Sequence, residues 1–303
     1  MLYDVVIIGG GPGGLAAALT LGRARKRVLL CDSGPRRNAA AEHVHNFLTR
    51  DGTPPEQLRR IGREQLTRYA NVEARDVRVE AIAGARDAFQ VRLPAATVTA
   101  RRLLLCTGML DEMLPIAGFH ELWGRSIFQC PYCHGWEVQD RAWGYLVGER
   151  EAPMLLHFAL MARGWTEQLA VFTNGSELPE DARARLRAAG IRVETTPVAR
   201  LVSGARGLEA IELSSGSAVP CEVLFAHPPQ RHVPLVASLD LALDEHGYLQ
   251  VDAMTGETSV PGIYAAGDLA TRMQGALFAA AAGSRSAAMI NAELGMTTTW
   301  SSQ

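Results

Sequence analysis

The 303-residue sequence predicts an α/β fold in two domains, the first interrupted along the chain by the second. Three observations carry this. The N-terminal segment reads strand, glycine turn, helix, strand, acid. A second strand running into Gly-Asp stands near the other end of the chain. Between them lies a close cysteine pair, Cys130-Pro131-Tyr132-Cys133, followed by His134-Gly135.

Residues 3–8 form a short β-rich run of the kind found in buried parallel strands. Gly9-Gly10-Gly11-Pro12-Gly13-Gly14 follows, then the helix-like stretch 15–21. This sets G-x-G-x-x-G (Gly9, Gly11, Gly14) at a strand-to-helix turn. Such a turn must bend sharply, let a pyrophosphate approach the backbone, and pack the helix on the sheet. The helix N-terminus then offers unpaired N–H groups and partial positive charge to phosphates. The next strand, 27–31, ends at Asp32, a carboxylate placed to bind ribose hydroxyls. Gly262-Ile263-Tyr264-Ala265-Ala266-Gly267-Asp268 is the second element, with Asp268 placed to hold a ribityl hydroxyl. Together the two elements point to a discontinuous Rossmann-like FAD domain with another domain inserted.

The cysteine spacing lets two thiols close into a reversible disulfide that stores two electrons. Half a zinc site has the same spacing, but it needs two more ligands. Cys31, Cys106 and Cys221 are isolated in apolar runs, where cysteine behaves as a small core hydrophobe. The redox reading is therefore preferred and no metal is expected. The net charge of −2 excludes a polyelectrolyte role, so nucleic acid is not an expected partner. Lys26 is the only lysine, which argues against a catalytic lysine. Residues 5–21 are apolar but broken by glycines and Pro12, so they read as fold rather than signal or anchor. No membrane association and a cytoplasmic location are expected. In that reducing compartment a C-x2-C is more often catalytic than structural.

These motifs resemble the low-molecular-weight thioredoxin reductases and their relatives among the pyridine-nucleotide–disulfide oxidoreductases, nearly end to end. Val44-His45-Asn46-Phe47 resembles the family's flavin-contacting V-x-N-F, and Leu105-Cys106-Thr107-Gly108 its A-T-G. Gly267-Asp268 leads into Gln274 and an Ala-rich helix. The resemblance implies two Rossmann-like domains, the FAD domain over 1–112 and 243–303 and the inserted domain over 113–242. It implies FAD, a homodimer, and cofactor contacts at Gly9, Gly11, Pro12, Gly14, Asp32, Asn46, Val77, Thr107, Gly108, Gly267, Asp268 and Gln274. The catalytic set is Cys130, Cys133 and His134.

Two departures from the family redirect the reading. The inserted domain's own nucleotide turn reads Gly148-Glu149-Arg150-Glu151-Ala152-Pro153. Arg150 stands where the pyrophosphate needs a second glycine, Pro153 replaces the third small residue, and two glutamates add negative charge. After the following strand, 168–172, the chain reads Thr173-Asn174-Gly175-Ser176-Glu177. The basic cluster that pairs with a 2′-phosphate is missing there. NADPH is therefore not expected to bind normally. His134 takes the place of an acid in typical thioredoxin reductases, and an imidazole titrating near neutrality can accept and return thiol protons.

The motif resembles two branches of the family. One oxidises small-molecule dithiols, such as those of epidithiol and dithiolopyrrolone biosynthesis, with O2. The other consists of thioredoxin-reductase-like flavoproteins fed by another donor such as ferredoxin. The sequence predicts an FAD-dependent dithiol/disulfide oxidoreductase acting on a small-molecule dithiol or a thioredoxin-like protein, with O2 or ferredoxin as redox partner. By analogy Cys130 is the attacked sulfur and Cys133 faces the flavin. A non-catalytic flavin-binding protein is the alternative class. His43, His45, His227 and His232 fall in loop-like stretches from which one could assist; His157, on a helix, reads as structural. Pro228 and Pro229 stiffen the segment returning to the first domain.

Overall fold

The computed structural model describes residues 2–148 and 154–296. In chain order the first part contains β1 (Leu2–Ile8), α1 (Pro12–Arg23), β2 (Val28–Asp32), α2 (Pro55–Leu66), β3 (Val72–Asp76), β4 (Ala81–Ala83), β5 (Phe89–Leu93), β6 (Ala96–Leu105) and β7 (Leu110–Asp111). There follow α3 (Phe119–Leu122), β8 (Ile127–Phe128), α4 (Pro131–His134), β9 (Trp143–Leu146), α5 (Leu155–Ala162), β10 (Leu169–Phe172) and α6 (Glu180–Ala188). Then come β11 (Arg192–Glu194), β12 (Val198–Gly204), β13 (Gly207–Leu213), β14 (Ala218–Pro220) and β15 (Val223–Ala226). The last part holds β16 (Gln230–Arg231), α7 (Pro234–Ala237), β17 (Ile263–Ala265) and α8 (Ala276–Met296).

Two compact units result. The first takes residues up to Ala39, Asn46–Leu110 and the chain from Gln230; the second takes Ala40–His45 and Asp111–Pro229. In the first, β3-β2-β1-β6 pair in parallel, β17 adds to β6 in parallel, and β5 and β4 continue antiparallel. β1 buries Val5 and Ile7 on one face, with Val6 and Ile8 on the other. Burial on both faces explains why the strand reads as a continuous apolar run rather than an alternating one. α1 and α8 cross at two glycines: a Cβ on Gly283 would lie 2.0 Å from the Gly13 carbonyl oxygen. Only hydrogen at both positions lets these backbones meet.

The first unit resumes at Gln230 rather than at 243. The stretch from Val233 to Leu241 is apolar, begins a helix at Pro234, and packs Val236 and Leu241 into the first unit's core. That burial claims the segment for the sheet on which it packs. A second difference is the arm Ala40–His45, which belongs to the second unit although its chain neighbours belong to the first. A Cβ at Gly124 would meet the Ala40 side chain at 2.6 Å, so the arm rests closely on that glycine.

The second unit holds a parallel sheet in the order β11-β10-β9-β15-β8 and an antiparallel sheet β12-β13-β14. Trp143, Tyr145, Phe158 and Phe225 pack in one of its cores, Tyr145 stacked on Phe158 and Phe225 tilted against Trp143 and Phe158. Each unit thus has a mixed α/β architecture around parallel strands. Among the described residues no helix is long and apolar enough to cross a membrane.

Candidate functional site

The expected cofactor contacts of the first unit cluster where parallel strands end. Gly9 follows β1 with φ +111°, a conformation open to glycine, and its missing Cβ leaves room for the Cys106 carbonyl that follows β6, 2.2 Å from where that atom would stand. A Cβ on Gly14 would come 1.8 Å from the Gly9 carbonyl oxygen. These two glycines are needed for packing. Gly11 differs: a Cβ there would meet nothing within 4 Å, so its face of the turn is open. Gly11 is the N-cap of α1 and Pro12 opens the helix, where a missing N–H costs nothing. The cradle that results exposes the helix's first amides on the Gly11 side.

Asp32, Thr107, Gly108, Gly267 and Asp268 end or follow strands of the same sheet, whereas Asn46 and Val77 lie outside its strands. Asp32 ends β2, and Arg59 from α2 donates to it through Nε at 2.9 Å and Nη2 at 2.7 Å. Asp268 follows Gly267, whose φ is +94°. Arg37 donates from Nη1 to the Asp268 carboxylate at 2.9 Å and to Gln274 Oε1 at 2.5 Å. Gln274 in turn donates to Gln230 Oε1 at 2.9 Å. Thr107 and Gly108 follow β6, Gly108 with φ +65°. Asn46 has φ +60° and donates its N–H to Asp51. Val77 packs against the core below β3. Sequence reading missed Arg37 and Arg59; the run of arginines after Asp32 and along α2 was the available signal.

Cys130, Cys133 and His134 lie in the second unit. Cys130 is the extended N-cap of the one-turn helix α4, which Pro131 opens. Both cysteines are free thiols. The Cys133 thiol donates to Cys130 and brings its pKa down to about 7. Burial opposes this, while the N–H groups of Cys133 and Tyr132 and the nearby His227 assist it. Cys31 and Cys221, by contrast, are buried among apolar atoms, and that burial pushes each thiol up to about 12. One thiol of the pair is thus prepared as a thiolate near neutral pH, and the core cysteines are not.

His134 stacks its ring on Phe128, centroids 4.3 Å apart and planes 16° from parallel. Both ring nitrogens are buried, and neither makes a hydrogen bond; the Cys130 carbonyl nearby falls short of bonding geometry. Burial lowers its pKa; Glu137 pulls it up and His45 pushes it down. His45 Nε2 lies 3.4 Å from Glu137 Oε1. Beside the dithiol Tyr132 and Trp136 are exposed, 64% and 73%. Tyr132 sets its ring edge-on to Trp165 at 5.5 Å. His157 is exposed on α5, and His232 bonds the Gly247 carbonyl at 2.9 Å in the first unit. Among the described residues no group of three or more His, Cys, Asp or Glu side chains is arranged to hold a metal.

The sequence matches the model of the pyridine nucleotide-disulphide oxidoreductases over residues 3–150 and 166–283. The chain belongs to that family. It is 34% identical to the thioredoxin reductase tcpT of Claviceps purpurea over 279 residues, covering 88% of this chain and 86% of the relative. The crystal structure of HlmI superposes with a TM-score of 0.89 at 37% identity, covering 97% of this chain and 93% of that one. The putative thioredoxin reductase TrxB from Bacillus anthracis gives 0.90 at 32% identity, covering 98% of this chain and 100% of that one. The protein is an oxidoreductase acting on disulfides, with the two dinucleotide-binding domains of its family, which implies FAD.

The first unit's residues fit that cofactor. The cradle has the open face at Gly11 and the closed packing at Gly9 and Gly14 that a pyrophosphate site demands, with carboxylates at both strand ends for hydroxyl groups. The second unit's nucleotide turn is a different matter. Of the expected motif, Gly148 is described, and the departures at Glu149, Arg150, Glu151 and Pro153 lie outside the described residues. At the end of β10, the buried Thr173 hydroxyl donates to the Ser176 carbonyl at 2.6 Å, and the Asn174 side chain accepts from the Val198 N–H at 2.8 Å. The sequence predicts no guanidinium at this turn. Arg183 of α6 does reach it, and donates to the exposed Glu177 at 3.1 Å.

Proposed function

We propose that this enzyme oxidises a small-molecule dithiol to a disulfide through Cys130 and Cys133, passing the electron pair to FAD and from there to O2, without NADPH. The observation that carries this is a thiol poised near neutrality in the same short segment as His134, whose two ring nitrogens are buried and unpaired. An imidazole held without partners in the resting protein has its proton-accepting capacity free for an incoming group.

In the oxidised enzyme a substrate thiolate attacks the Cys130 sulfur, the Cys130–Cys133 bond breaks, and Cys133 leaves as a thiolate. His134 takes the proton from the second substrate thiol. That thiolate attacks the substrate sulfur bound to Cys130, the mixed disulfide breaks, and Cys130 leaves. Its low pKa makes it a good leaving group. The substrate has lost two electrons and two protons; the dithiol has gained the electrons. The chemistry FAD would supply when bound in the first unit is a sink for that pair and its delivery to oxygen. The exposed Tyr132 and Trp136 offer apolar surface to a small substrate at the dithiol.

NADPH independence rests on the chemistry of the second turn. In the sequence Arg150 stands where the family motif has a glycine and Glu149 and Glu151 add negative charge, and the Arg183 that reaches the other half of the site pairs with Glu177. The working form is read as a cytoplasmic homodimer. Anaerobic titration tests the proposal. Dithiothreitol should bleach the flavin and consume O2 once air is admitted, whereas micromolar NADPH should leave the spectrum unchanged. Prompt bleaching by NADPH overturns the donor assignment. Thioredoxin reduction driven by photoreduced ferredoxin, with no dithiol-dependent oxygen uptake, overturns the direction.

A further inference from the structure

The arm Ala40–His45 brings a histidine to the dithiol unit from a stretch of sequence flanked on both sides by the first unit. His45 meets Glu137 at 3.4 Å, and Glu137 lies three residues beyond His134. The two come from separate segments and form a pair, ionic only when His45 is protonated, that acts on the His134 imidazole. His45 is mostly buried, its side chain 18% exposed, and Glu137 stands 40% exposed at the solvent edge. His134, enclosed by Phe128 and without hydrogen-bond partners, has little water to balance a positive charge. Its protonation is therefore governed by nearby charges rather than by solvent.

We propose that the His45–Glu137 pair is a positioning element of the active site, which sets the charge that His134 carries when it takes a substrate proton. This rests on the reading of His134 as the proton acceptor. The groups facing the imidazole are few. Glu137 follows on the same turn, and His45 comes from the arm with His43 beside it, ring centroids 6.0 Å apart. Cys130 and Cys133 stand on α4, with His227 beyond them acting on Cys130. β8 contributes Phe128, which is apolar. Of these, Glu137 stabilises the imidazolium, whereas a protonated His45 opposes it. The pair thus works in two senses. With His45 neutral, the Glu137 carboxylate supports a proton on His134. With His45 charged, Glu137 is shared and His134 is held neutral, the form that accepts a proton.

The test is the pH dependence of flavin reduction by dithiothreitol under anaerobic conditions, in the full-length FAD-loaded enzyme. Variants H134Q, E137Q, E137D and H45Q are compared, with flavin absorbance and melting temperature as controls for folding. H134Q should remove the limb of the profile that reports proton acceptance. E137Q should move that limb toward acid and H45Q toward alkali, each by a fraction of a pH unit to one unit, and E137D should restore the wild-type position. Opposite displacements are expected because the two groups act on His134 with opposite sign. A merely structural pair would alter melting and leave the limb in place. Displacements of the same sign, or none, overturn the pair's role while H134Q still abolishes the limb. An intact limb in H134Q overturns the His134 reading itself, and the pair's role with it.

Discussion

Replacing Gly11 by alanine separates cofactor binding from folding. The position has φ −76° and ψ −173°, which alanine adopts without strain, and the added methyl meets no atom within 4 Å. In the cofactor-free protein the change should be neutral or stabilising, by about 0.4–1 kcal/mol, because alanine restricts the unfolded chain. With FAD present, the methyl occupies the space through which a phosphate oxygen reaches the first amides of α1. Losing one hydrogen bond to a charged group costs about 1.5–3 kcal/mol, which is roughly 10- to 150-fold in affinity. G14A is the contrast, since its methyl would sit 1.8 Å from the Gly9 carbonyl oxygen and must displace backbone. Deflavinated G11A should therefore melt at or above wild type and titrate with FAD more weakly by flavin fluorescence. G14A should lose both stability and flavin. Wild-type FAD affinity in G11A would refute the placement of the pyrophosphate at this turn.

Iodoacetamide should alkylate Cys130 in the reduced enzyme with a rate that rises through a midpoint of about pH 7. C133A should move that midpoint upward, because the Cys133 thiol is the main donor to Cys130, and Cys31 and Cys221 should stay unreactive until unfolding. A second expectation concerns Arg102, fully buried on β6, which donates from Nε and Nη2 to Glu293 of α8, each at 2.9 Å. R102M leaves the half-buried Glu293 carboxylate without its main partner, with only Tyr264 donating and Arg86 3.5 Å away, and should cost about 1.5–3 kcal/mol in denaturant melts. Burial disfavours the charged form of Glu293, but the Arg102 and Tyr264 hydrogen bonds outweigh it and hold the carboxyl below its ordinary range. A lowered folded pKa means a contribution present above the unfolded value of about 4.3 and lost as pH falls through the folded one. Wild-type stability should therefore drop on acidification below about pH 4, and R102M should lack that component of the drop.

The parts of the fold legible in the sequence are those governed by local sterics. Gly9 and Gly14 could be placed because only glycine admits a carbonyl oxygen at such distances, and that constraint leaves its mark within six residues. The apolar run of β1 was legible because burial on both faces removes alternation. What escaped depends on long-range packing. The stretch from Val233 to Leu241 resembles a linker by position, with Pro234 and only a short helix. Its assignment to the first unit follows from burial of Val236 and Leu241 on a sheet whose strands are far away in sequence. Arg37 and Arg59 carry no local signal for their partners Asp268 and Asp32, which lie 231 and 27 residues away.

His45 shows the same limit at the site itself. Its neighbour Asn46 drew attention as a flavin contact, and a residue beside it would be assigned by proximity to the same domain. The chain instead divides between them, with His45 in the dithiol unit and Asn46 in the first. Two physical facts account for the division. Gly124 has no side chain, which lets the arm lie close at Ala40, and Glu137 offers a carboxylate to the imidazole at the arm's other end. Neither fact is encoded near residue 45. An acid in that place ionises at about pH 4 unless its surroundings hold its proton. The imidazole stacked on Phe128 has the opposite need: burial alone drives it toward the neutral form, and a nearby carboxylate supports its charge. The exchange of acid for histidine after the cysteine pair and the recruitment of a charge pair from a distant arm are thus linked by electrostatics: the first makes the second useful.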